Sequence, residues 1–216
     1  MGAKHPLAGP DQEETGGSTG HPEGCFLDCP TCERLRRAAV EIAVRDGIDR
    51  TTTAGVAELA QVPVDQAREH YPTAEDCLAA AYDEGALMLR RVCARALRGE
   101  GTWRERLGAA VDMALEAFGE RPQLARYCFV EAWYSSLPML SATRVADRER
   151  LVRILAEHHG QVSRGEDLPE LRFEVMVGAA HHAVREQLDG RGDVTLRERL
   201  DRLIDLFERP NSAPVG

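Results

Sequence analysis

The segment Thr51–Leu78, TTTAGVAELAQVPVDQAREHYPTAEDCL, predicts two short helices around a tight turn. The first of these helices has its apolar residues on one face, namely Val56, Leu59 and Ala60. Residues 61–63 interrupt this periodicity, and residues 64–71 resume it. Two such short helices bury too little apolar surface to be stable alone, so they require neighbouring helices on both sides. This arrangement is typical of a helix-turn-helix, in which the second helix presents side chains to the major groove of DNA.

The residues around this segment resemble a known protein family. The motifs occur in a fixed order: LRRAAVEI at 35–42, DG at 46–47, TT at 51–52, VAELA at 56–60, HY at 70–71 and EDCL at 75–78. This series resembles the N-terminal domain of the tetracycline-repressor (TetR) family of bacterial transcription regulators. The resemblance runs without gaps over residues 34–78.

The resemblance implies an all-α fold of about nine helices. A three-helix helix-turn-helix domain would be joined by a long helix to a C-terminal helical domain for ligand binding and dimerisation. The predicted division is a disordered, cysteine-containing N-terminal extension at 1–30, a DNA-binding domain at 31–78 and the helical domain at 79–210. The function implied is that of a dimeric, ligand-responsive repressor. Its partners would be double-stranded operator DNA, a second copy of the chain and a small-molecule effector of unidentified chemistry.

Apolar periodicity in the rest of the chain agrees with an all-α fold. Helix one is predicted from Thr31 or Cys32 to Asp46. The T-x-x-D pattern of Thr73 and Asp76 predicts a capped helix that runs to about Leu97. Further helices are predicted at 103–118, 124–133, 139–159, 170–188 and 195–208, with a linker at 160–169. The last two of these helices are the predicted homodimer interface.

Composition limits the classes of protein that this chain can belong to. No run of 18 or more apolar residues occurs, so no membrane span and no membrane partner are predicted. The N-terminus lacks the charged and apolar regions of a secretory signal, which predicts a cytoplasmic protein. No Gly-rich phosphate loop, nucleophile elbow or His-Glu-x-x-His motif is present, so we do not expect an enzyme.

The charge balance is unusual for a DNA-binding protein. The chain has a net charge of −9, and residues 33–78 hold six arginines against nine acidic residues, a net charge of −3. Ala54 and Ala74 occupy positions at which the family commonly has a basic residue. Phosphate neutralisation requires local positive charge, so these features favour an alternative function. In that alternative, a TetR-like protein with weak or lost DNA binding acts through a protein partner.

Ten residues are candidates for DNA contact: Arg50, Thr51, Thr52, Thr53, Val64, Asp65, Gln66, Arg68, His70 and Tyr71. Arg68, Arg50 and Thr52 are expected on phosphate, whereas Gln66 and Asp65 are expected nearest the bases. A carboxylate repels phosphate but accepts a hydrogen bond from cytosine N4. Tyr71 has an alternative role as an anchor in the domain core.

A ligand pocket is expected among aromatic and methionine residues of the second domain. The candidates are Met113, Phe118, Phe129, Trp133, Tyr134, Met139 and His181. The alternative for each is an ordinary core position, because apolar side chains at helical spacing serve both purposes.

Three cysteines and a histidine cluster before the first helix: His21, Cys25, Cys29 and Cys32. Thiolate and imidazole at short spacing suit a tetrahedral zinc ion, whereas Cys29-x-x-Cys32 also suits a redox dithiol. Reduced thiols in a loop are the third interpretation. The sequence indicates no cofactor beyond zinc or another metal here, which would make the regulator metal- or redox-responsive. The other three cysteines are expected to be small buried apolar residues: Cys77, Cys93 and Cys128.

Overall fold

The computed structural model describes residues 29–162, 168–191 and 194–208, and every regular element in these ranges is helical. The helices are α1 (Pro30–Asp46), α2 (Thr53–Ala60), α3 (Val64–His70), α4 (Ala74–Leu97), α5 (Trp103–Gly119), α6 (Pro122–Arg126), α7 (Ala132–Tyr134), α8 (Pro138–Val162), α9 (Glu170–Leu188) and α10 (Leu196–Glu208). A 3-10 turn spans Ile48–Arg50, and a π-helical turn, Tyr127–Glu131, joins α6 to α7 without a break. Because α6, the π-helical turn and α7 are continuous, they count as one helix. The described residues therefore contain nine helices, as the sequence predicted. None of these helices is long and apolar enough to cross a membrane.

Helices α1, α2 and α3 form the predicted helix-turn-helix domain. Thr52 caps α2, since its side-chain oxygen accepts a hydrogen bond from the backbone N–H of Gly55 at 3.1 Å. Gln61 ends α2 in the left-handed conformation with a φ of 54°, which turns the chain toward α3. Apolar residues of all three helices and of α4 form the core of this domain: Leu35, Ile42, Val56, Ala67, Tyr71, Cys77 and Leu78.

Helix α4 connects this domain to the remaining helices. Its start is a capping box, because Thr73 and Asp76 each accept a hydrogen bond from the other's backbone N–H. This confirms the cap predicted from the sequence. The buried hydroxyl of Tyr127 donates a hydrogen bond to the carbonyl oxygen of Leu78 at 2.7 Å. That contact ties the π-helical turn to the first part of α4.

The far end of α4 packs into a second core formed with α5, α8, α9 and α10. Its buried members include Leu97, Trp103, Leu107, Phe173, Ile204 and Phe207. Trp103 meets His159 and Phe173 edge-on, at ring-centroid distances of 5.1 and 6.5 Å. Such edge-to-face packing is the arrangement that aromatic quadrupoles favour.

Some predicted boundaries are wrong. The short helix predicted at 124–133 is part of a longer helical segment that begins at Pro122, where proline fits the first turn. Helix α8 continues to Val162, so the predicted linker begins later than residue 160. Residues 163–167 of that linker, and residues 1–28 and 209–210 of the predicted domains, lie outside the described residues.

Candidate DNA-contact surface and ligand cavity

The outer face of α3 is polar and exposed. Asp65, Gln66, Arg68 and Glu69 are exposed on it, and Val64 is half-buried at its start. Arg50 and Thr52 are also exposed, and Thr53 is half-buried at the start of α2. These predicted contact residues therefore have access to a docked DNA backbone.

Burial removes two predicted contact residues from this surface. Thr51 is 8% exposed, and its hydroxyl donates a hydrogen bond to the carbonyl oxygen of Gly47. Tyr71 is 3% exposed and lies in the domain core, which was its alternative role. Thr51 directly follows the 3-10 turn and Tyr71 directly follows α3, and neither side chain is available to solvent.

His70 lies at the end of α3 that faces the start of α1. Its Nδ1 atom is 3.3 Å from Cys32 Sγ and 4.0 Å from Cys29 Sγ. The sequence pattern made His70 a candidate for DNA contact because it stands on the second helix of the motif. Its position against α1 instead groups it with the two cysteines, which are 38 and 41 residues away in sequence.

Most cations of the helix-turn-helix domain are paired with carboxylates. Arg68 lies 3.5 Å from Asp65, one turn earlier on α3, and Arg37 lies 2.7 Å from Glu33. Arg45 pairs with Asp46 at 2.8 Å. Among the described residues, Arg34 and Arg50 have no ion-pair partner. The surface around α3 therefore offers few uncompensated positive charges to phosphate.

A buried polar network crosses from this domain to the second one. Arg36 of α1 donates hydrogen bonds to Tyr71 at 3.0 Å and to Glu84 of α4 at 2.7 Å. Arg121, just before α6, contacts the other oxygen of Glu84 at 2.5 Å. Burial lowers the pKa of Arg36, but its hydrogen bonds to Tyr71 and Glu84 outweigh that effect and leave the pKa raised. The guanidinium therefore stays charged and holds α1, α3 and α4 together.

A cavity of about 550 Å³ lies between the helices of the second domain. Four predicted pocket residues line it: Phe118, Phe129, Trp133 and His181. Its volume falls in the range of cavities that enclose small organic ligands.

The other three predicted pocket residues lie elsewhere. Met113 of α5 packs against Cys93 and Ala96 of α4 and against Ala110 of its own helix. Tyr134 is 69% exposed beneath the guanidinium of Arg185, and Met139 is 43% exposed at the start of α8. Both side chains are exposed and neither lines the cavity.

The sequence analysis missed the contribution of α4 to the cavity wall. Tyr82, Ala86, Leu89 and Cys93 line it at spacings of four, three and four residues. That spacing is a readable amphipathic signal. It gives no means of telling a cavity wall from a filled core, since both require apolar side chains. Cys77, Cys93 and Cys128 are buried, as predicted, and burial raises the pKa of the Cys93 thiol to about 12.

His181 is the polar group in the most aromatic part of the cavity wall. Its ring lies 4.0 Å from the Trp133 ring and 5.2 Å from the Phe129 ring, between centroids. Its Nε2 atom is buried with no hydrogen-bond partner among the described residues. Burial, with smaller contributions from Arg185 and Arg144, lowers its pKa from 6.5 to about 4. The imidazole is therefore neutral at pH 7 and has one hydrogen-bonding position to offer a ligand.

No protein-family model and no curated protein matches this sequence. Solved structures do match it. FadR, the fatty acid degradation regulator from Bacillus halodurans, has a TM-score of 0.70 at 16% identity, covering 84% of this chain and 96% of that one. A TetR-like transcriptional regulator from Rhodococcus sp. RHA1 has a TM-score of 0.66 at 19% identity, covering 82% and 93%. FadR from Thermus thermophilus, a TetR-family repressor solved with lauroyl-CoA, has a TM-score of 0.60 at 21% identity, covering 86% and 100%.

These matches extend across both the helix-turn-helix domain and the helices around the cavity. The low identities fit a chain whose resemblance is confined to short motifs in residues 34–78. This chain therefore has the fold of the TetR-family transcriptional regulators.

Proposed function

We propose that this protein is a dimeric transcriptional regulator that binds operator DNA through α3 and releases it when an apolar effector fills the cavity. Helix α4 is the observation that carries this proposal. Cys77 and Leu78, near its start, pack in the core of the helix-turn-helix domain, whereas Leu89 and Cys93 of the same helix border the cavity. Helix α4 packs against α1, and α1 in turn packs against α2 and α3. A ligand that displaces the cavity segment of α4 would therefore shift the helix on which the recognition helix packs.

The cavity supports an effector with a long apolar chain. Its lining is almost entirely aliphatic, aromatic or glycine, and its few polar side chains include His181, Arg144 and Asp147. Asp147 is neutralised by an ion pair with Arg90. The FadR proteins of Thermus thermophilus and Bacillus subtilis were solved with lauroyl-CoA and stearoyl-CoA. We therefore propose that the effector of this protein also carries a fatty acyl group.

The acidic surface around α3 favours one competing function, in which the protein acts through a protein partner. An exposed carboxylate pairs with Arg68, the exposed cation of α3, at 3.5 Å. Repulsion between Glu69 or Asp65 and phosphate weakens sequence-independent attraction to DNA. The two functions differ in whether any DNA fragment is bound at low salt.

Selection from a genomic fragment pool at low salt tests the proposed DNA binding. The expected result is enrichment of a two-fold symmetric site, because a dimer places two recognition helices on successive major grooves. Arg68→Ala should weaken binding to all sequences alike, since a phosphate contact carries no sequence information. Arg153→Ala, an equal charge change on an exposed residue of α8, is the control. The absence of enriched fragments, with no binding at low salt, would favour the protein-partner function.

A cavity-filling variant tests the effector site. Ala114 of α5 lines the cavity, whereas Ala109 of the same helix is exposed. Ala114→Phe should abolish binding of a long-chain acyl-CoA in titration calorimetry, and Ala109→Phe should leave it unchanged. Equal binding by both variants would place the acyl site outside this cavity.

A further inference from the structure

Three metal-ligating side chains from two separate helices converge at one edge of the helix-turn-helix domain. Cys29 and Cys32 stand at the start of α1, and His70 is the last residue of α3. Their donor atoms, two Sγ and one imidazole nitrogen, all lie within 4.8 Å of one another. Cys32 is buried, whereas Cys29 and His70 are half-buried.

The spacing of these atoms matches that of ligands around one tetrahedral ion. With Zn–S bonds of about 2.3 Å and Zn–N bonds of about 2.0 Å, a sulfur and a nitrogen ligand lie about 3.5 Å apart. The two observed separations from His70 Nδ1 are 3.3 Å to Cys32 and 4.0 Å to Cys29. These two values lie on either side of the separation expected around a tetrahedral ion.

The backbone holds these ligands in place by other contacts. Cys29 is the N-cap of α1 and Cys32 its third helical residue, positions whose side chains meet on the same side of a helix start. One turn further along α1, Arg36 donates a hydrogen bond to Tyr71 at 3.0 Å. Because Tyr71 follows His70 directly, this buried contact fixes the end of α3 against α1. The three ligands are thus preorganised by the fold itself.

The chemical type of these side chains indicates which metal they would bind. Thiolate and imidazole together select zinc over magnesium or calcium, which prefer oxygen ligands.

We propose that Cys29, Cys32 and His70 bind a zinc ion that fastens the end of the recognition helix to the start of α1. A water molecule or one further donor would complete the tetrahedron. His21 and Cys25, the other two ligands expected from the sequence, lie outside the described residues. Zinc would restrain α3 from the end opposite Asp65 and Gln66, the residues expected nearest the bases. This site is distinct from the effector cavity, and its existence does not depend on DNA binding.

Metal analysis of the full chain tests this proposal. The protein, purified under reducing conditions without chelator and with its affinity tag removed, should hold about one zinc per chain. Its cobalt form should show thiolate-to-metal charge transfer and the intense visible bands of a tetrahedral ion. Zinc should also slow amide hydrogen exchange across residues 64–71. Fewer than about 0.2 zinc per chain after incubation with zinc would overturn the proposal.

Paired variants distinguish this ligand set from adventitious binding. His70→Gln and Cys32→Ser should each weaken zinc affinity by more than about tenfold in competition with a chromophoric chelator. His182→Gln, an exposed histidine on α9, and Cys93→Ala, a buried thiol of α4, should leave it unchanged. Circular dichroism of the zinc-free proteins checks that the variants fold; if Cys32→Ser does not, Cys29→Ser at the half-buried position replaces it. Wild-type affinity in His70→Gln would overturn the proposal.

Discussion

A carboxylate and a guanidinium lie one turn apart on the exposed face of α3. Asp65 has a 91% exposed side chain, and Arg68 lies 3.5 Å away. Both are available to DNA, but Asp65 competes with phosphate for Arg68. We therefore expect these two residues to influence how strongly the surface attracts a nucleic acid.

Asp65→Asn should strengthen binding to DNA of any sequence, because it removes one repulsive charge and releases Arg68 from its ion pair. The slope of log affinity against log salt should steepen by about one unit, as expected for one additional phosphate contact. Fluorescence anisotropy on a random duplex across a salt series measures both quantities. Glu157→Gln on α8, the same charge change away from α3, is the control. If Asp65→Asn left the affinity for DNA unchanged but removed a preference for a cytosine-containing site, Asp65 would instead contact a base.

His181 is expected to make stability depend on pH. Burial lowers its folded-state pKa to about 4, so between pH 6.5 and 4 the unfolded chain binds more protons than the folded one. The free energy of unfolding should therefore fall as pH decreases through that window. His181→Phe should abolish this component, which amounts to as much as about 2 kcal/mol at pH 5.

Urea unfolding at pH 7.5 and pH 5 measures this component as the difference between the wild type and His181→Phe. His182→Phe, an exposed neighbour on α9, provides the matched control and should retain the wild-type pH dependence. Equal pH dependence in the wild type and His181→Phe would mean that His181 titrates normally.

At the scale of helices, α4 and the segment that follows α5 approach each other very closely. A Cβ atom built on Gly85 would lie 2.6 Å from Cys128 Sγ and 3.6 Å from Leu124 Cγ. Only glycine permits this approach, which sets the distance between α4 and the π-helical turn. The contact is also part of the cavity wall.

Gly85→Ala should destabilise the protein by about 1–3 kcal/mol, because the new methyl group would force the buried Cys128 side chain out of its position. Alanine's better helix propensity offsets about 1 kcal/mol of that strain. A Cβ atom built on Gly160 in α8 would have no neighbour within 4 Å. Gly160→Ala should therefore gain helix propensity without strain and raise the melting temperature. Calorimetry compares the two variants. Stabilisation of both would contradict the close approach.

Local features of these elements could be predicted from the sequence, whereas contacts between them could not. The capping box at Thr73 and Asp76 is readable because both partners lie within four residues. The position of His70 against Cys32 depends on how α3 packs on α1, which no local pattern encodes. The same limit applies to Met139 and Tyr134, whose apolar character fits a pocket wall and an exposed helix end equally well.

At the scale of the whole molecule, α9 and α10 carry exposed apolar side chains. Leu171 and Val175 of α9 are 65% and 61% exposed, and Leu206 of α10 is 60% exposed. Leu171, Val175 and Gly178 follow one another at spacings of four and three residues, so they share one helical face. A contiguous apolar face with a glycine suits close packing against a second copy of the same helices.

The chain should therefore be a homodimer at micromolar concentration, and Val175→Arg should convert it to a monomer by placing a charge in the interface. Sedimentation equilibrium measures the mass of each protein. Leu59→Arg, a similar change at an exposed apolar residue of α2, should remain dimeric. A monomeric wild type would contradict the proposed interface. It would also be inconsistent with recognition of an operator that has two symmetric half-sites.

Coupling between the cavity and α3 through α4 is the central claim, and DNA affinity with and without effector tests it most directly. The dissociation constant for the selected operator should rise by about 5–150-fold at saturating long-chain acyl-CoA, the usual range of coupling between two sites. Ala114→Phe, whose cavity is filled, should bind the operator but show no response to acyl-CoA. An operator affinity that is identical with and without bound acyl-CoA would contradict the claim.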